Sequence, residues 1–187
     1  MTTITVFGLG LMGRPLARTL LARGFAARGW NRSRLDPRLV EGIPLCASWE
    51  EAATSDVALL MLADSDAVDA VLARLEPLLR PGQLVLDMGS SDPRRSKEHA
   101  ARLAARGIDW VDAPVSGGPE GAAAGTLAIM AGGAAEAVAR ARPVLQALGS
   151  VVHVGGPGAG HLVKVLNQVI VGLTIEAVAE ALVLGER

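Results

Sequence analysis

The chain has 187 residues, of which 50% are hydrophobic and 20% are charged, with 18 Lys and Arg against 19 Asp and Glu. This composition excludes a disordered chain, a collagen-like repeat and a highly charged tail protein, and the length predicts one domain with at most an appendage. A net charge of −1, three Trp, two Phe and no Tyr offer no basic surface for stacking bases, so we expect no nucleic-acid partner.

Short apolar or β-branched runs, bounded by turn residues, alternate with Ala-, Leu- and Arg-rich segments at the helical period. This alternation predicts an α/β fold, namely a Rossmann-type, doubly wound and mostly parallel sheet followed by a long C-terminal helix. The predicted strands are Thr3–Phe7, Ala26–Trp30, Val57–Met61, Leu84–Asp87, Asp109–Asp112, Leu127–Met130 and Val151–Val154. The predicted helices are Met12–Arg23, Ser48–Ala53, Ala67–Leu79, Pro93–Ala105, Ala134–Leu148 and Gly160–Gly185. The Gly- and Pro-rich segment Ala113–Gly125 is predicted to be an irregular, functional loop.

Two regions follow from this pattern: a dinucleotide-binding domain over residues 1–158 and a long interdomain-type helix over residues 159–187. The helix is apolar around nearly its whole circumference, so it needs neighbours on both sides. Either another copy covers it, as in a homo-oligomer, or the chain is the front part of something longer. Polar and charged residues within its apolar stretch, Leu162–Leu184, argue against a transmembrane span and a membrane partner.

The compartment is predicted from cysteine usage and from the first residues of the chain. The single cysteine, Cys46, cannot form an internal disulfide, and we interpret it as a small core residue. The N-terminus has no basic region, and three glycines interrupt its apolar stretch, as is untypical of a signal peptide. We therefore expect a cytoplasmic protein.

A glycine-rich motif joins the first predicted strand to the first predicted helix. It reads Gly8, Leu9, Gly10, Leu11, Met12, Gly13. In a GxGxxG pattern the first glycine permits a tight turn, the second lets the backbone approach a pyrophosphate, and the third lets helix and strand pack closely. The position between a strand and a helix favours dinucleotide binding over a merely structural glycine turn.

The choice of cofactor is predicted from the end of the second strand, where an acid would bind the ribose 2′-hydroxyl of NAD. No carboxylate occurs there before Asp36. Instead, Asn31 and Ser33 can hydrogen-bond a 2′-phosphate, and Arg32 and Arg34 can neutralise it. This pattern favours NADP over NAD, and the alternative is a pair of solvated arginines.

Only two lysines occur, Lys97 and Lys164, and Lys164 lies within an apolar run of the last helix. A desolvated lysine has a lowered pKa and can exchange a proton near neutral pH. Asn167 and Gln168 follow on the same helical face. The alternative, a lysine whose stem packs while its ammonium reaches water, stays open on these residues alone.

A second Gly-rich turn supplies a candidate anion cradle. Ser116, Gly117 and Gly118 follow a predicted strand at the carboxyl edge of the sheet, where ligands of open α/β sheets bind. Their backbone amides and the serine hydroxyl could hold a carboxylate. A Gly-rich turn capped by Ser is the alternative.

Three ordered motifs together resemble the β-hydroxyacid dehydrogenase family, the relatives of 3-hydroxyisobutyrate dehydrogenase. They read GLGLMGRPLA, DAPVSGGPEGAAAGTLAIMAGG and GAGHLVKVLNQVIVGLTIEAVAEAL and span essentially the whole chain. The last motif is most similar to the tartronate semialdehyde reductase branch. The GAGHLVK segment also resembles 6-phosphogluconate dehydrogenase, although the middle motif lacks that enzyme's proline.

The resemblance implies a role for each matching position. Lys164 would be the catalytic acid/base, Ser116, Gly117 and Gly118 would bind the substrate carboxylate, and Asn167 and Gln168 would orient the substrate. The cofactor side would comprise the Gly8–Gly13 loop together with Asn31, Arg32, Ser33, Leu62, Ala63 and Ser91. Ala63 stands where many relatives have Pro, and the helical domain that follows the long helix in relatives has no counterpart in this sequence.

The predicted function is that of an NADP-dependent oxidoreductase that reduces a small 3-oxo acid such as tartronate semialdehyde to the hydroxy acid. The alternatives are a non-catalytic module that binds NADP without turnover, and a scaffold that dimerises through the last helix and binds nothing. We expect a small-molecule carboxylate as substrate and no bound metal.

Overall fold

The computed structural model describes residues 2–186, which form one mixed sheet with helices on both faces. The strands are β1 Thr3–Phe7, β2 Ala26–Trp30, β3 Val57–Leu60, β4 Leu84–Asp87, β5 Asp109–Asp112, β6 Val115–Ser116, β7 Leu127–Gly133 and β8 Gly149–Gly155. The helices are α1 Gly13–Ala22, α2 Trp49–Ala52, α3 Ser65–Leu75, α4 Pro93–Ala104, α5 Gly118–Ala124, α6 Ala135–Leu148 and α7 Ala159–Gly185.

The first five strands are parallel and lie in the order β2-β1-β3-β4-β5. The chain adds β2 on one side of β1 and β3 on the other, so the carboxyl ends of β1 and β3 form the crevice where such sheets bind ligands. Beyond β5, β7 runs antiparallel to both β5 and β6, and β8 runs parallel to β7. The prediction of a doubly wound, mostly parallel sheet is confirmed.

The core lies in two layers, one on each face of the sheet. Alternate residues of β1 divide between them: Ile4 and Val6 pack with α1 and α6, whereas Phe7 packs with α3 and α4. β3 and β4 are buried at every position, as expected when helices cover both faces of a parallel sheet. Cys46 packs partly buried against the second layer, where burial raises the pKa of its thiol.

The prediction of an irregular loop over Ala113–Gly125 is wrong in part, because this segment forms β6 and the short helix α5. Gly117 and Gly118 have φ angles of 129° and 65°, so these two glycines make the turn that allows a helix to start here. The Ala-rich run then continues the helix, with Ala122 buried in the core.

The end of α3 also differs from the prediction. The helix stops at Leu75, and a 3₁₀ turn over Glu76–Leu78 follows, where the predicted helix continued to Leu79. Pro77 lacks the backbone N–H that another α-helical turn would use.

The long helix α7 is held only by its first turn. Gly160 and His161 are its buried residues, and the large apolar side chains beyond them are exposed within the described chain. The neighbours that its apolar surface needs therefore lie outside residues 2–186 of a single copy. With a mean hydropathy of 1.7 over its most apolar 18 residues, the helix is long and apolar enough to cross a membrane. The absence of a membrane partner therefore stays a prediction. The division of the chain at residue 158 also stays a prediction.

Candidate functional site

The glycine loop between β1 and α1 has the sterics that its motif predicts. A Cβ on Gly8, whose φ is +96°, would lie 2.3 Å from the Met61 carbonyl oxygen, and one on Gly13 would lie 1.8 Å from the Gly8 carbonyl oxygen. A Cβ on Gly10 would meet nothing within 4 Å. The first and third glycines are therefore required by the fold itself, whereas the second leaves open space in front of the N-terminus of α1, where a pyrophosphate fits.

The residues between these glycines divide between the core and the surface. Leu9 is fully buried and Met12 is partly buried against the same layer, whereas Leu11 is 75% exposed. The backbone N–H of Leu9 donates to Asn31 Oδ1 at 3.1 Å, and Asn31 Nδ2 donates to the Ser33 carbonyl at 2.8 Å. The Asn31 side chain thus ties the glycine loop to the end of β2, a structural role that sequence reasoning missed.

The end of β2 opens into a cavity of about 510 Å³ that brings half of the predicted cofactor residues together. Its walls include Gly8, Asn31, Arg32, Ser33, Leu62 and Ala63. Arg74 also lines the cavity, with its guanidinium carbon 5.9 Å from the ring centroid of Trp49. No Asp or Glu belongs to the walls. Arg74 was missed, although the spacing of Ala67, Ala70 and Arg74 on one face of α3 is the signal that could have found it.

Lys164 lines a second cavity, of about 670 Å³, together with Ser91 and Gln168. Its side chain is half-buried, and burial lowers its pKa. The expectation of an amine stripped of water is therefore only partly met by the described chain. Asn167 is not among the residues that line this cavity; its side chain donates to Gln168 Oε1 at 3.3 Å.

The proposed anion cradle spans the end of β6 and the start of α5. Ser116 is half-buried and pairs with Ala128 of β7, and Gly117 and Gly118 begin α5. None of the three lines the cavity that holds Lys164. Their role as a carboxylate cradle stays a prediction.

A cluster of buried polar side chains lies beneath the cavity that holds Lys164. Its members Asp87, Ser96, Asp112 and His161 have no solvent exposure. Asp87 accepts hydrogen bonds from the Ser91 hydroxyl at 2.7 Å and the Gly89 N–H at 3.1 Å, but burial still raises its pKa to about 6. Burial also raises the pKa of Asp112 and lowers that of His161. Sequence reasoning missed this cluster; its only local signal is an Asp at the end of each of two neighbouring strands.

The raised pKa of Asp87 predicts a pH dependence of stability. Because the pKa rises from 3.8 to about 6 on folding, its stabilising contribution is complete below pH 3.8 and is lost as the pH rises through 6. Relative to Asp87→Asn, the wild-type free energy of unfolding should fall by roughly 2 kcal/mol between pH 4 and pH 7. Urea unfolding of both proteins across this range measures the difference.

Asp56 provides the control with opposite sign. Hydrogen bonds from the Thr3 N–H and hydroxyl lower its pKa, so wild type should gain stability over Asp56→Asn as the pH rises toward 3.8 and should then stay level up to pH 7. A wild-type advantage over Asp87→Asn that stays constant from pH 4 to pH 7 would contradict the assignment for Asp87.

The described residues contain no group of three or more His, Cys, Asp or Glu side chains placed to hold a metal ion.

Comparison with protein families matches residues 3–156 to the NAD binding domain of 6-phosphogluconate dehydrogenase. The chain is 37% identical to 2-(hydroxymethyl)glutarate dehydrogenase of Eubacterium barkeri, over 97% of this chain and 63% of that protein. It is also 37% identical to 2-hydroxy-3-oxopropionate reductase of Escherichia coli, over 96% of this chain and 64% of that protein. The chain thus spans slightly less than two thirds of the length of these relatives.

Solved structures agree with this grouping. The Mycobacterium tuberculosis 3-hydroxyisobutyrate dehydrogenase, solved with L-serine, superposes on all of this chain and 65% of its own, with a TM-score of 0.91 and 36% identity. Among other similar structures, an imine reductase of Myxococcus stipitatus carries NAD⁺ (25% identity, TM-score 0.88, 97% of this chain and 65% of that chain). Psf3 carries NADP⁺ (29% identity, TM-score 0.84, 96% of this chain and 67% of that chain).

Proposed function

The chain belongs to the β-hydroxyacid dehydrogenase family, and on that basis we propose that it functions as an NADP-dependent oxidoreductase of small 3-hydroxy and 3-oxo acids. One observation carries the proposal: Lys164, the residue expected to exchange the proton, lines one cavity with Ser91, a residue expected on the cofactor side. Membership of the family supports a nicotinamide cofactor. The preference for NADP over NAD is part of the proposal.

The residues present fit such a cofactor. The open space at Gly10 would take the pyrophosphate, and the 510 Å³ cavity would take the adenosine. Arg32 and Ser33 would hold the 2′-phosphate, and Arg74 adds a second positive charge to the same walls. Asn31, whose side chain is already engaged twice, would contribute mainly by holding the loop in place.

When bound, the cofactor supplies or accepts the hydride at the substrate carbon. The ammonium of Lys164 donates a proton to the substrate oxygen during reduction, and the free amine removes it during oxidation. Burial, by lowering the pKa of Lys164, makes the free amine more accessible near neutral pH. Ser116, Gly117 and Gly118 would hold the carboxylate, with Asn167 and Gln168 orienting the substrate. Tartronate semialdehyde is the proposed 3-oxo acid, supported by the similarity to the E. coli 2-hydroxy-3-oxopropionate reductase.

We also propose that a second copy of the chain covers the exposed apolar surface of α7 in a cytoplasmic homo-oligomer. The exposed side chains are Leu162, Val165, Leu166, Val169, Ile170, Val171, Leu173, Ile175, Val178, Leu182, Val183 and Leu184. A contiguous apolar surface of this length favours association in water. Sedimentation of the purified chain as a monomer would contradict this part of the proposal.

A turnover assay with NADPH and tartronate semialdehyde tests the proposed activity. Oxidation of NADPH that depends on the acid supports the enzyme. Binding of NADPH without oxidation supports instead a nucleotide-binding module, which is favoured by the partial exposure of Lys164. Binding is measured by the change in fluorescence of Trp30, which lines the 510 Å³ cavity, during titration with NADPH. If the chain does not bind NADPH, only the function as a scaffold remains.

The choice of NADP is tested by Arg32→Ala. Loss of the guanidinium should weaken NADPH binding by about 10-fold to 100-fold and leave NADH binding within about 3-fold, because only NADPH carries the 2′-phosphate. Titration of both dinucleotides by calorimetry measures the ratio.

Arg38→Ala is the matched control, because Arg38 is an exposed arginine that pairs with Asp36 in the same region of the chain. An equal loss of NADPH affinity in both variants would mean that general charge, rather than a contact from Arg32, selects the cofactor.

A further inference from the structure

Beyond the residues expected to touch substrate or cofactor, we propose that His161 is a positioning residue. Its buried ring couples the Ser90–Ser91 loop, at the end of β4, to the helical turn that carries Lys164. The inference rests on the proposed function only for the role of Lys164; the coupling itself is a property of the fold.

Backbone hydrogen bonds attach the start of α7 to the strand ends. The N–H groups of Gly158 and His161 donate to Oδ1 and Oδ2 of Asp112, at 2.7 and 3.0 Å. A Cβ on Gly160 would lie 2.4 Å from the Met130 carbonyl oxygen, so this turn lies directly on β7. These backbone contacts fix where α7 begins and hold its first residues against the strand ends.

The His161 ring links two further elements. Its Nδ1 lies 2.6 Å from the Ser96 hydroxyl of α4, and its Nε2 lies 3.7 Å from Asp87 Oδ2. The same carboxylate oxygen accepts the hydrogen bond from the Ser91 hydroxyl. The ring therefore connects α7, to which His161 belongs, with α4 and with the end of β4.

The Ser96 hydroxyl lies within hydrogen-bond distance of two groups, His161 Nδ1 at 2.6 Å and the Asp92 carbonyl oxygen at 3.3 Å. On its other side the ring presents Nε2 to the Asp87 carboxylate, which also accepts from Ser91. Nε2 has no hydrogen-bond partner within the described residues and lies 3.7 Å from Asp87 Oδ2, so the ring dipole, rather than a full charge, faces the carboxylate. Burial, which outweighs the opposing charge of Asp112, lowers the pKa of His161 and keeps its ring neutral at pH 7.

This geometry makes His161 a positioning residue rather than a catalytic one. The side chain has no solvent exposure and forms hydrogen-bond contacts inside the fold, whereas Lys164, three residues further on, is half-buried on the same side of the helix and lines the cavity. Only Gly160 and His161 of α7 are buried, so glycine contacts and this one side chain determine how the helix is rotated. Without the ring, the start of α7 could rotate about the helix axis and move Lys164 out of position.

Amide hydrogen exchange tests the coupling without any need for turnover. In His161→Ala, exchange should accelerate by about 10-fold in peptides that cover 159–164 and also in peptides that cover 88–92, because both segments depend on the ring. His161→Asn should restore part of the protection, since its amide can take the place of Nδ1 against Ser96. Acceleration confined to 159–164 would mean a local anchor and would overturn the coupling.

Ser96→Ala keeps the inference testable if His161→Ala does not fold. This variant removes one hydroxyl and should accelerate exchange in 159–164 by about 3-fold, with a smaller change in 88–92. Unchanged exchange in both segments would overturn the role of the ring.

Kinetics then separate this inference from the proposed function. In His161→Ala, kcat should fall by about 10-fold while the Kd for NADPH stays within about 3-fold, with partial recovery in His161→Asn. A wild-type chain that binds NADPH without turnover would contradict the proposed function and leave the exchange test valid. Full turnover in His161→Ala, together with unchanged hydrogen exchange, would reject the positioning role of His161 and leave the proposed function standing.

Discussion

Replacement of Lys164 by Ala is expected to lower kcat for tartronate semialdehyde reduction by about 1,000-fold, within the range of about 100-fold to 10,000-fold typical of a lost general acid. The affinity for NADPH should stay within about 3-fold, because the glycine loop and the adenosine cavity do not include this residue. Stopped-flow turnover and a calorimetric titration of the same preparation measure the two quantities.

Lys97→Ala is the matched control, since Lys97 is the only other lysine and lies exposed on α4. Its turnover should equal that of wild type. The outcome that contradicts the assignment is loss of NADPH binding in Lys164→Ala, which would make the lysine a structural residue of the fold.

Gly13→Ala is expected to have the second large effect, on both the fold and cofactor binding. The new methyl group would lie 1.8 Å from the Gly8 carbonyl oxygen, so the backbone of the loop must move. A clash with backbone, rather than with the end of a flexible side chain, should lower the free energy of unfolding by roughly 2–4 kcal/mol. NADPH binding should be lost at the same time, because the amides of the loop no longer converge. Chemical denaturation and a binding titration measure these effects.

Gly10→Ala separates the fold from the cofactor. Nothing lies within 4 Å of the new methyl group, so stability should change by less than about 1 kcal/mol. The methyl group would enter the space in front of α1, and NADPH affinity should fall by about 10-fold or more because the pyrophosphate can no longer approach the backbone. A Gly10→Ala variant with wild-type affinity would show that the cofactor does not lie over this loop.

Much of the framework could be predicted from local patterns. The predicted bounds of β1, β2, β4 and β5 agree with the structure to the residue, because a turn-forming residue follows the end of each strand within two positions. The glycine loop could be predicted for the same reason, since its sterics involve residues close in sequence or on the neighbouring strand.

The helix α5 shows where local reasoning failed. Its sequence, GPEGAAA, contains two glycines and a proline and is untypical of a helix. The helix forms because Gly121 and Ala122 are small enough to pack against β7 and the core, and the left-handed Gly125 ends it. Packing between elements, which no local pattern reports, decides such cases.

The sequence by itself determined the fold class and the place of the glycine loop, because these depend on short-range sterics and periodicity. The roles expected of the site residues came from the resemblance to a family. Only the tertiary structure decided how much water reaches Lys164, that Arg74 joins the adenosine cavity, and that Asp87, Ser96 and His161 meet in one buried cluster. The physical reason is burial: the electrostatic environment of a group depends on elements distant in the chain, such as Ser96 and His161, which are 65 positions apart.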